Sequence, residues 1–298
     1  MRANDPYIEW VRAFLESVRA WSPQVPMRMI PFDDRIDKVT RLASRYEFVV
    51  HTDHSLTDLD QLGASILHGT GAPRGLFRKL ALFWGPFEQF LFLDCDIIVT
   101  TEVQRFIATL DELHCDFTYA IPCELEWIYS STNMQQEARA AGFPSGINTG
   151  AWASRRGLFS LDLCKALAAE VQPRRQELVL DGEQSFIIWA LYRQHVPVEA
   201  FATATGPTGY LWAGDQFNLK TATADGHATL RSEIGAPTFL VHWAGYGLTP
   251  LMPYRELWRR YRWRGNSAAA HLQRALDRCR TSVVRMADLV GWGRSIER

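Results

Sequence analysis

The sequence predicts a single α/β domain built on a mostly parallel β-sheet with helices on both faces, followed by C-terminal helices. Two observations support this prediction. Short apolar runs alternate with segments of helical apolar spacing through the N-terminal half. The run Phe90–Leu93 continues as Ile97–Val99 after a short acidic interruption, and a run that is apolar throughout is typical of a central strand covered on both faces.

The N-terminal half supplies the alternating elements in order. The first predicted helix, Tyr7–Trp21, has apolar residues at helical spacing and stops at a Ser-Pro pair. Further helices are predicted at Asp34–Ser44, Asp58–Leu67, Leu76–Phe83 and Val103–Leu110. Strands are predicted at the short apolar runs Met27–Phe32, Tyr46–Val50, Phe90–Leu93 and Phe117–Ile121. This rhythm indicates a doubly wound sheet.

The second half is less regular. Gly142–Gly150 is predicted to be a loop, and Thr203–Gly235, rich in Thr, Ala and Gly, is predicted to be irregular. Helices are predicted at Leu158–Ala169, Gln184–Tyr192, Tyr254–Trp263 and Ala268–Val290, and a strand at Pro237–His242. We expect one domain over residues 1–255 and a helical extension over 256–298 that packs on it. A core-packing or dimerising role is favoured for the last helix over a membrane-surface role.

Composition excludes several classes of function. The 298-residue chain has a formal net charge of −1, so no bulk field favours nucleic acid or an anionic membrane. No apolar run approaches the ~20 residues of a membrane span, and the N-terminus lacks the apolar core of a signal peptide. Five scattered cysteines indicate a reducing compartment rather than a disulfide framework. We therefore expect a cytoplasmic protein.

Asp94 and Asp96 are the first candidates for chemistry, because they lie two residues apart where the strand Phe90–Leu93 ends. Ligands of open α/β sheets gather outside the carboxyl ends of the strands. Carboxylate oxygens suit Mg²⁺ or Mn²⁺, which can also hold phosphates and neutralise charge on a diphosphate leaving group. A plain turn is the alternative, but two carboxylates in a buried run are costly unless they are paired or metal-bound. The position therefore favours a metal site.

Other segments carry polar groups at the predicted ends of elements. His242 ends an apolar strand and could complete the metal site, although a histidine at a strand end is more often structural. Ser145–Gly150 combines Asn148, which can bond sugar hydroxyls, with glycines that let a ligand approach the backbone. Asp181–Gln184 and Lys79 could contact a ligand, or could be a helix cap and a solvated cation.

In their order along the chain, these segments resemble motifs of the glycogenin-like retaining glycosyltransferases of family eight, which have a GT-A fold. The similar segments span roughly residues 3 to 255, and six short motifs in the same order are more specific than any one. They are Ala3-Asn4-Asp5-Pro6-Tyr7, Lys79-Leu80, Asp94-Cys95-Asp96, Asn148-Thr149-Gly150, Gly182-Glu183-Gln184, and His242 with Gly245.

The resemblance implies transfer of a sugar from a nucleotide-sugar donor, a UDP-sugar, with retention at the anomeric carbon. Asp94, Asp96 and His242 would hold Mn²⁺ or Mg²⁺. The reacting centre would lie near Glu183, Gln184 and Asp181. The donor-binding residues would be Asn4, Tyr7, Lys79, Asp94, Cys95, Asn148, Gly150 and Gly245.

Three departures from the family pattern leave alternatives open. Leu248 stands where the family has a diphosphate-binding Lys, Glu183 replaces Asp, and the first strand before Asn4 is almost absent. One alternative is a degenerate member that binds a nucleotide or glycan without turnover. A more distant one is a phosphatase or other hydrolase that uses the same acidic cluster. The acceptor, whether sugar, lipid, small molecule or protein, is not encoded in these motifs, because acceptor pockets are built from variable loops.

Overall fold

The computed structural model describes residues 1–67, 74–143, 145–179, 182–205, 211–214, 220–224, 227–231, 237–266, 268–269 and 271–279. The strands are β1 (Arg2–Ala3), β2 (Met27–Pro31), β3 (Phe48–Val50), β4 (Gln89–Leu93), β5 (Ile97–Val99), β6 (Phe117–Tyr119), β7 (Pro122–Cys123), β8 (Gly146–Ile147), β9 (Ala151–Arg155), β10 (Val198–Ala200), β11 (Leu211–Trp212), β12 (Lys220–Ala224), β13 (His227–Arg231), β14 (Pro237–Thr238) and β15 (Leu240–His242).

Helices cover both faces of these strands. The α-helices are α1 (Ile8–Trp21), α2 (Asp37–Thr40), α3 (Ala43–Tyr46), α4 (Ser55–Ile66), α5 (Gln104–Glu112), α6 (Thr132–Ala140), α7 (Leu161–Val171), α8 (Glu183–Arg193), α9 (Phe201–Thr205) and α10 (Arg255–Arg262). The 3₁₀ segments are Asp5–Tyr7, Arg74–Trp84, Leu125–Trp127 and Gln172–Glu177. In the described parts of the chain, no helix is both long and apolar enough to span a bilayer.

The main sheet has the strand order β3-β2-β1-β4-β9-β6-β10. Strands β1, β2 and β3 are parallel, and this set meets β4 through a parallel bridge between Arg2 and Asp94. Strand β9 runs antiparallel to β4 and β6, and β10 is again parallel to β6. The predicted α/β fold with a mostly parallel sheet is therefore confirmed.

A smaller sheet brings the segment after Asp96 against the segment that ends at His242. Strand β5 pairs antiparallel with β15, and in this register His242 faces Ile97. The Trp243 amide donates to the Asp96 carbonyl oxygen at 3.0 Å. Because backbone pairing fixes this register, the imidazole lies beside the acidic pair although the two segments are far apart in sequence.

Two apolar clusters lie on opposite faces of β4. Phe90 and Phe92 belong to the cluster under α4, α7 and α8, whereas Leu93 belongs to the cluster under α1 and α10. Trp152 of β9 is fully buried in the first cluster and stacks on Phe117, with ring centroids 5.1 Å apart. The strand Phe90–Leu93 is thus covered on both faces, as its apolar run predicts.

Several element predictions need correction. In place of the predicted helix Asp34–Ser44 there are two short helices, α2 and α3, and α3 extends to Tyr46. Helix α2 begins only at Asp37, because the Asp33 carboxylate accepts from the Arg35 amide in a turn. Leu76–Phe83 lies in a 3₁₀ segment, whose three-residue period puts the buried Phe77, Leu80 and Phe83 on one face.

Helix α6 was not expected, because its buried residues are few and its sequence is largely polar. The prediction that Thr203–Gly235 is irregular is wrong in its described parts, where β12 and β13 form an antiparallel hairpin. β-branched threonines favour such extended pairing. Within the predicted helix Ala268–Val290, residues 268–269 and 271–279 are helical, and residues 280–290 lie outside the described residues.

Candidate functional site

A cleft of about 390 Å³ opens where β1 and β4 end. Its lining includes every site residue expected from the sequence except Asp181, which lies outside the described residues. The lining residues are Arg2, Ala3, Asn4, Tyr7, Phe32, Leu76, Lys79, Asp94, Cys95, Asp96, Asn148, Thr149, Gly150, Glu183, Gln184, His242, Ala244 and Gly245.

Asp94, Asp96 and His242 converge in this cleft. One ligand atom from each lies within 4.8 Å of the others, and His242 Nε2 is 3.3 Å from Asp96 Oδ1. Burial lowers the pKa of His242, but the Asp96 and Asp94 carboxylates outweigh it, so the pKa lies above its ordinary value of 6.5. Two carboxylates suit Mg²⁺ or Mn²⁺, and the imidazole nitrogen favours Mn²⁺ of the two. The donor set therefore fits one divalent ion.

Gly150 leaves the space that the His242 ring fills. A Cβ at residue 150 would lie 2.3 Å from His242 Cε1, which is too close for real atoms, and 3.0 Å from Nδ1, which is tighter than ordinary contact. The Gly150 carbonyl oxygen also accepts from the Asp94 amide at 2.8 Å. Gly150 thus holds Asp94 from its backbone while its missing side chain admits the imidazole.

Cys95, between the two aspartates, is a buried free thiol. Burial, followed by the charges of Asp96 and Asp94, raises the pKa of this thiol well above its usual value. Cys95 therefore presents a neutral thiol to the cleft rather than a thiolate ligand.

Lys79 and Glu183 form a buried ion pair at the floor of the cleft. Their side chains are 1% and 4% exposed, and Lys79 Nζ lies 2.8 Å from Glu183 Oε1. Nζ also donates to the Thr149 carbonyl oxygen at 3.0 Å and to Thr149 Oγ1 at 3.4 Å. Thr149 Oγ1 in turn donates to Glu183 Oε1 at 2.8 Å, and the Thr149 amide donates to Gln184 Oε1 at 3.2 Å. Thr149 belongs to the motif Asn148-Thr149-Gly150 but was given no role of its own from the sequence, and here it ties the loop before β9 to the start of α8.

The segment after β1 is fixed at one end of the cleft by polar contacts. The Asp5 carboxylate accepts from the Lys38 and Val39 amides of α2, at 2.9 and 3.0 Å. Asn4 is buried and donates from Nδ2 to Asp33 Oδ2 at 2.8 Å, while its Oδ1 has no partner among the described residues. Tyr7 is half exposed at the rim of the cleft. A buried acceptor without a protein partner can accept a hydrogen bond from a water or a ligand in the cleft.

Arg2 lines the same cleft and was missed by the motif comparison. Its Nη2 lies 3.2 Å from Asp94 Oδ1, and its Nη1 donates to the Leu76 carbonyl oxygen at 3.1 Å. The guanidinium carbon also lies 5.1 Å from the centre of the Phe32 ring. The only sequence signal was an arginine two residues before Asn4, in a strand of two residues that is too short to show a period. Leu248, where the resembled motif has Lys, packs against the core cluster under α1 and α10.

No protein-family model matches the chain, and no curated protein matches it. Among solved structures, it is similar to an active-site mutant of LgtC at 13% identity, with 87% of this chain and 93% of that chain covered and a TM-score of 0.54. It is also similar to the galactosyltransferase LgtC in complex with donor and acceptor sugar analogues, at 13% identity, 89% and 98% coverage and a TM-score of 0.52.

A third similar structure is the apo form of mouse xyloside xylosyltransferase 1, at 15% identity, 63% and 77% coverage and a TM-score of 0.45. The two LgtC comparisons show that the chain has a GT-A glycosyltransferase fold. The GT-A fold expected from the sequence is thereby confirmed.

Proposed function

We propose that this protein is a metal-dependent glycosyltransferase that moves a sugar from a UDP-sugar to an acceptor, with retention at the anomeric carbon, as in the family-eight enzymes it resembles. The observation that carries the proposal is the convergence of Asp94, Asp96 and His242 in one cleft of a GT-A fold. LgtC, crystallised with donor and acceptor sugar analogues, supports a cleft that receives two sugar substrates.

In this proposal, Asp94, Asp96 and His242 hold Mn²⁺ or Mg²⁺. The bound ion would neutralise charge on the diphosphate leaving group. The Asn4 Oδ1 atom, buried and without a partner among the described residues, would accept a hydrogen bond from the nucleoside, and the Tyr7 ring at the rim would cover it.

The sugar would lie against Asn148, Gln184, Gly150 and Gly245, which line the cleft beside the acidic pair. Lys79 would pair with Glu183 and hold the Thr149 loop in place beneath the sugar, so that Gln184 and Asn148 keep their positions. Asp181 belongs to the same predicted catalytic segment. Buried residues that bond to one another in this way, here Lys79, Glu183 and Thr149, would fix the orientation of the groups that contact the sugar.

Binding without turnover is the second candidate, and one contact favours it. Arg2 pairs with Asp94, so one predicted metal ligand already has a cationic partner. If that ion pair persists, the cleft would bind a nucleotide through Asn4 and Tyr7 but would not activate its diphosphate.

Calorimetry with UDP and UDP-sugars, with and without Mn²⁺, tests the proposal. We expect Mn²⁺-dependent binding that Asp96→Asn abolishes, and slow release of UDP from the donor in the presence of water. Asp111→Asn is the matched control, because Asp111 is exposed and pairs with Arg155 outside the cleft. Absence of UDP binding by the native protein, or unchanged binding by Asp96→Asn, would overturn the proposal. Donor binding with no UDP release in water or with any acceptor would favour the second candidate.

A further inference from the structure

Two cations of the cleft, Arg2 and Lys79, each pair with a carboxylate, and only one of these two pairs can exchange partners. Among the described residues that line it, the cations are Arg2 and Lys79, and the carboxylates are Asp94, Asp96 and Glu183. The Lys79 ammonium has three N–H groups. Among the described residues, its acceptors within 3.5 Å are Glu183 Oε1, Thr149 O and Thr149 Oγ1. Lys79 therefore has no N–H to offer a phosphate without breaking a buried contact.

Arg2 differs in both exposure and donor count. Its side chain is 12% exposed, against 1% for Lys79, and its guanidinium carries five N–H groups. One group donates to Leu76 and another faces Asp94. The Leu76 carbonyl and the Phe32 ring would hold the guanidinium in place even if Asp94 turned to another partner.

A divalent ion at Asp94, Asp96 and His242 would be that partner. The divalent ion would neutralise both carboxylates. Arg2 would then lie beside this ion, and its positive charge would no longer be paired with Asp94. A diphosphate places anionic oxygens next to a divalent ion, and the planar guanidinium fork matches phosphate geometry. The removal of Arg2 from Asp94 and its pairing with phosphate would thus occur as one exchange.

We propose that Arg2 is the diphosphate-binding cation of this cleft, and that it is held on Asp94 until a divalent ion takes that carboxylate. The inference rests on the proposed function and adds a donor-binding residue to it. In this proposal the Arg2–Asp94 ion pair is present before the divalent ion binds and opens when the ion arrives, so it does not block the metal site.

The exchange predicts opposite effects on two ligands. In Arg2→Gln, Mn²⁺ alone should bind several-fold more tightly, because a competing cation has been removed from Asp94. With Mn²⁺ saturating, UDP should bind about ten- to a hundredfold more weakly, the effect of one or two lost charge-assisted hydrogen bonds. Uridine, which has no phosphate, should bind as it does to the native protein. Free Mn²⁺ measured by electron paramagnetic resonance and nucleotide titration calorimetry give these three values.

Two further variants keep the test decisive. Arg2→Lys retains the charge without the fork, so its UDP affinity should fall between those of Arg2→Gln and the native protein. Where Arg2→Gln is too unstable to titrate, weaker UDP binding by Arg2→Lys than by the native protein, with unchanged uridine binding, tests the role of Arg2. Arg45→Gln is the control, because Arg45 is an exposed arginine paired with Glu16 outside the cleft.

Unchanged UDP affinity in Arg2→Gln, or equal losses for UDP and uridine, would overturn the role of Arg2 while leaving the proposed function intact. If the native protein binds no UDP with Mn²⁺, the proposed function fails first. The two failures are therefore distinguishable in one set of titrations.

Discussion

Replacing Gly150 with alanine should displace His242 from the two aspartates. An alanine Cβ would lie 2.3 Å from His242 Cε1 and 3.0 Å from both His242 Nδ1 and Asn148 Oδ1, whereas ordinary contact begins at 3.4 Å. The ring must therefore retreat by about 1 Å. The backbone of Gly150 lies outside the left-handed region, so alanine fits its φ angle and the effect is steric alone.

A shift of this size matters because metal–ligand distances in protein sites lie within about 0.2 Å of their usual values. We expect Gly150→Ala to bind Mn²⁺ about ten- to a hundredfold more weakly, which corresponds to about 1.4–2.8 kcal/mol. Overpacking around the buried imidazole should also lower the free energy of unfolding by about 1–3 kcal/mol. The fold should survive, because Gly150 keeps its backbone bond to Asp94.

Titration of Mn²⁺ by calorimetry or electron paramagnetic resonance measures the effect. Gly247→Ala is the matched control, since the nearest atom to its Cβ would be Thr249 Cγ2 at 3.9 Å. A His242→Ala background adds a second check, because the alanine at 150 then has no ring to displace and should cause no further loss. Native Mn²⁺ affinity in Gly150→Ala, or a full additional loss in the His242→Ala background, would refute the reasoning.

Two further predictions concern the stability of buried ion pairs. Lys79→Met leaves the Glu183 carboxylate buried without its cation and should lower the free energy of urea unfolding by about 3–5 kcal/mol, part of which Lys79→Met/Glu183→Gln should recover. Burial raises the pKa of Asp277, but hydrogen bonds from Arg255 and Arg259 outweigh it and hold the pKa at about 2, below its ordinary 3.8. Asp277 therefore contributes stability above pH 3.8 that is lost as the pH falls toward 2, so the stability difference between native protein and Asp277→Asn should shrink over that range in urea titrations.

The parts of the fold that sequence predicts are those with a strong local pattern. Helix α1 follows from its repeating apolar residues, and β4 follows from an apolar run that two clusters cover. Helix α6 was not predicted, because its buried apolar residues are Met134 and Ala138. Two residues form too narrow an apolar stripe to be recognised in the sequence. Its Ser131 cap, which accepts from the Met134 amide at 3.3 Å, was the available signal.

In the site as well, some contacts could be predicted from sequence motifs and others could not. Motif order predicted that Asp94, Asp96 and His242 would meet, but the register of β5 with β15 is what brings the histidine to the acidic pair. The position of Arg2 just before Asn4 did not indicate Asp94 as its partner, because that contact depends on β1 lying next to β4 in the sheet. Contacts set by strand order between distant segments are not encoded in any local pattern.

The two ion pairs of the cleft differ in what it costs to open them, and this difference assigns their roles. Breaking the pair of Lys79 and Glu183 would strand two nearly fully buried charges, at a cost of about 3–5 kcal/mol, so that pair is suited to stay closed through a reaction cycle. Arg2 and Asp94 are both reachable from the cleft, with side chains 12% and 18% exposed, and an arriving divalent ion and diphosphate would offer each a new partner of opposite charge. In the proposed reaction, the closed pair would hold the loop that contacts the sugar in place, while the exchangeable pair would let the end that binds the diphosphate change its charge.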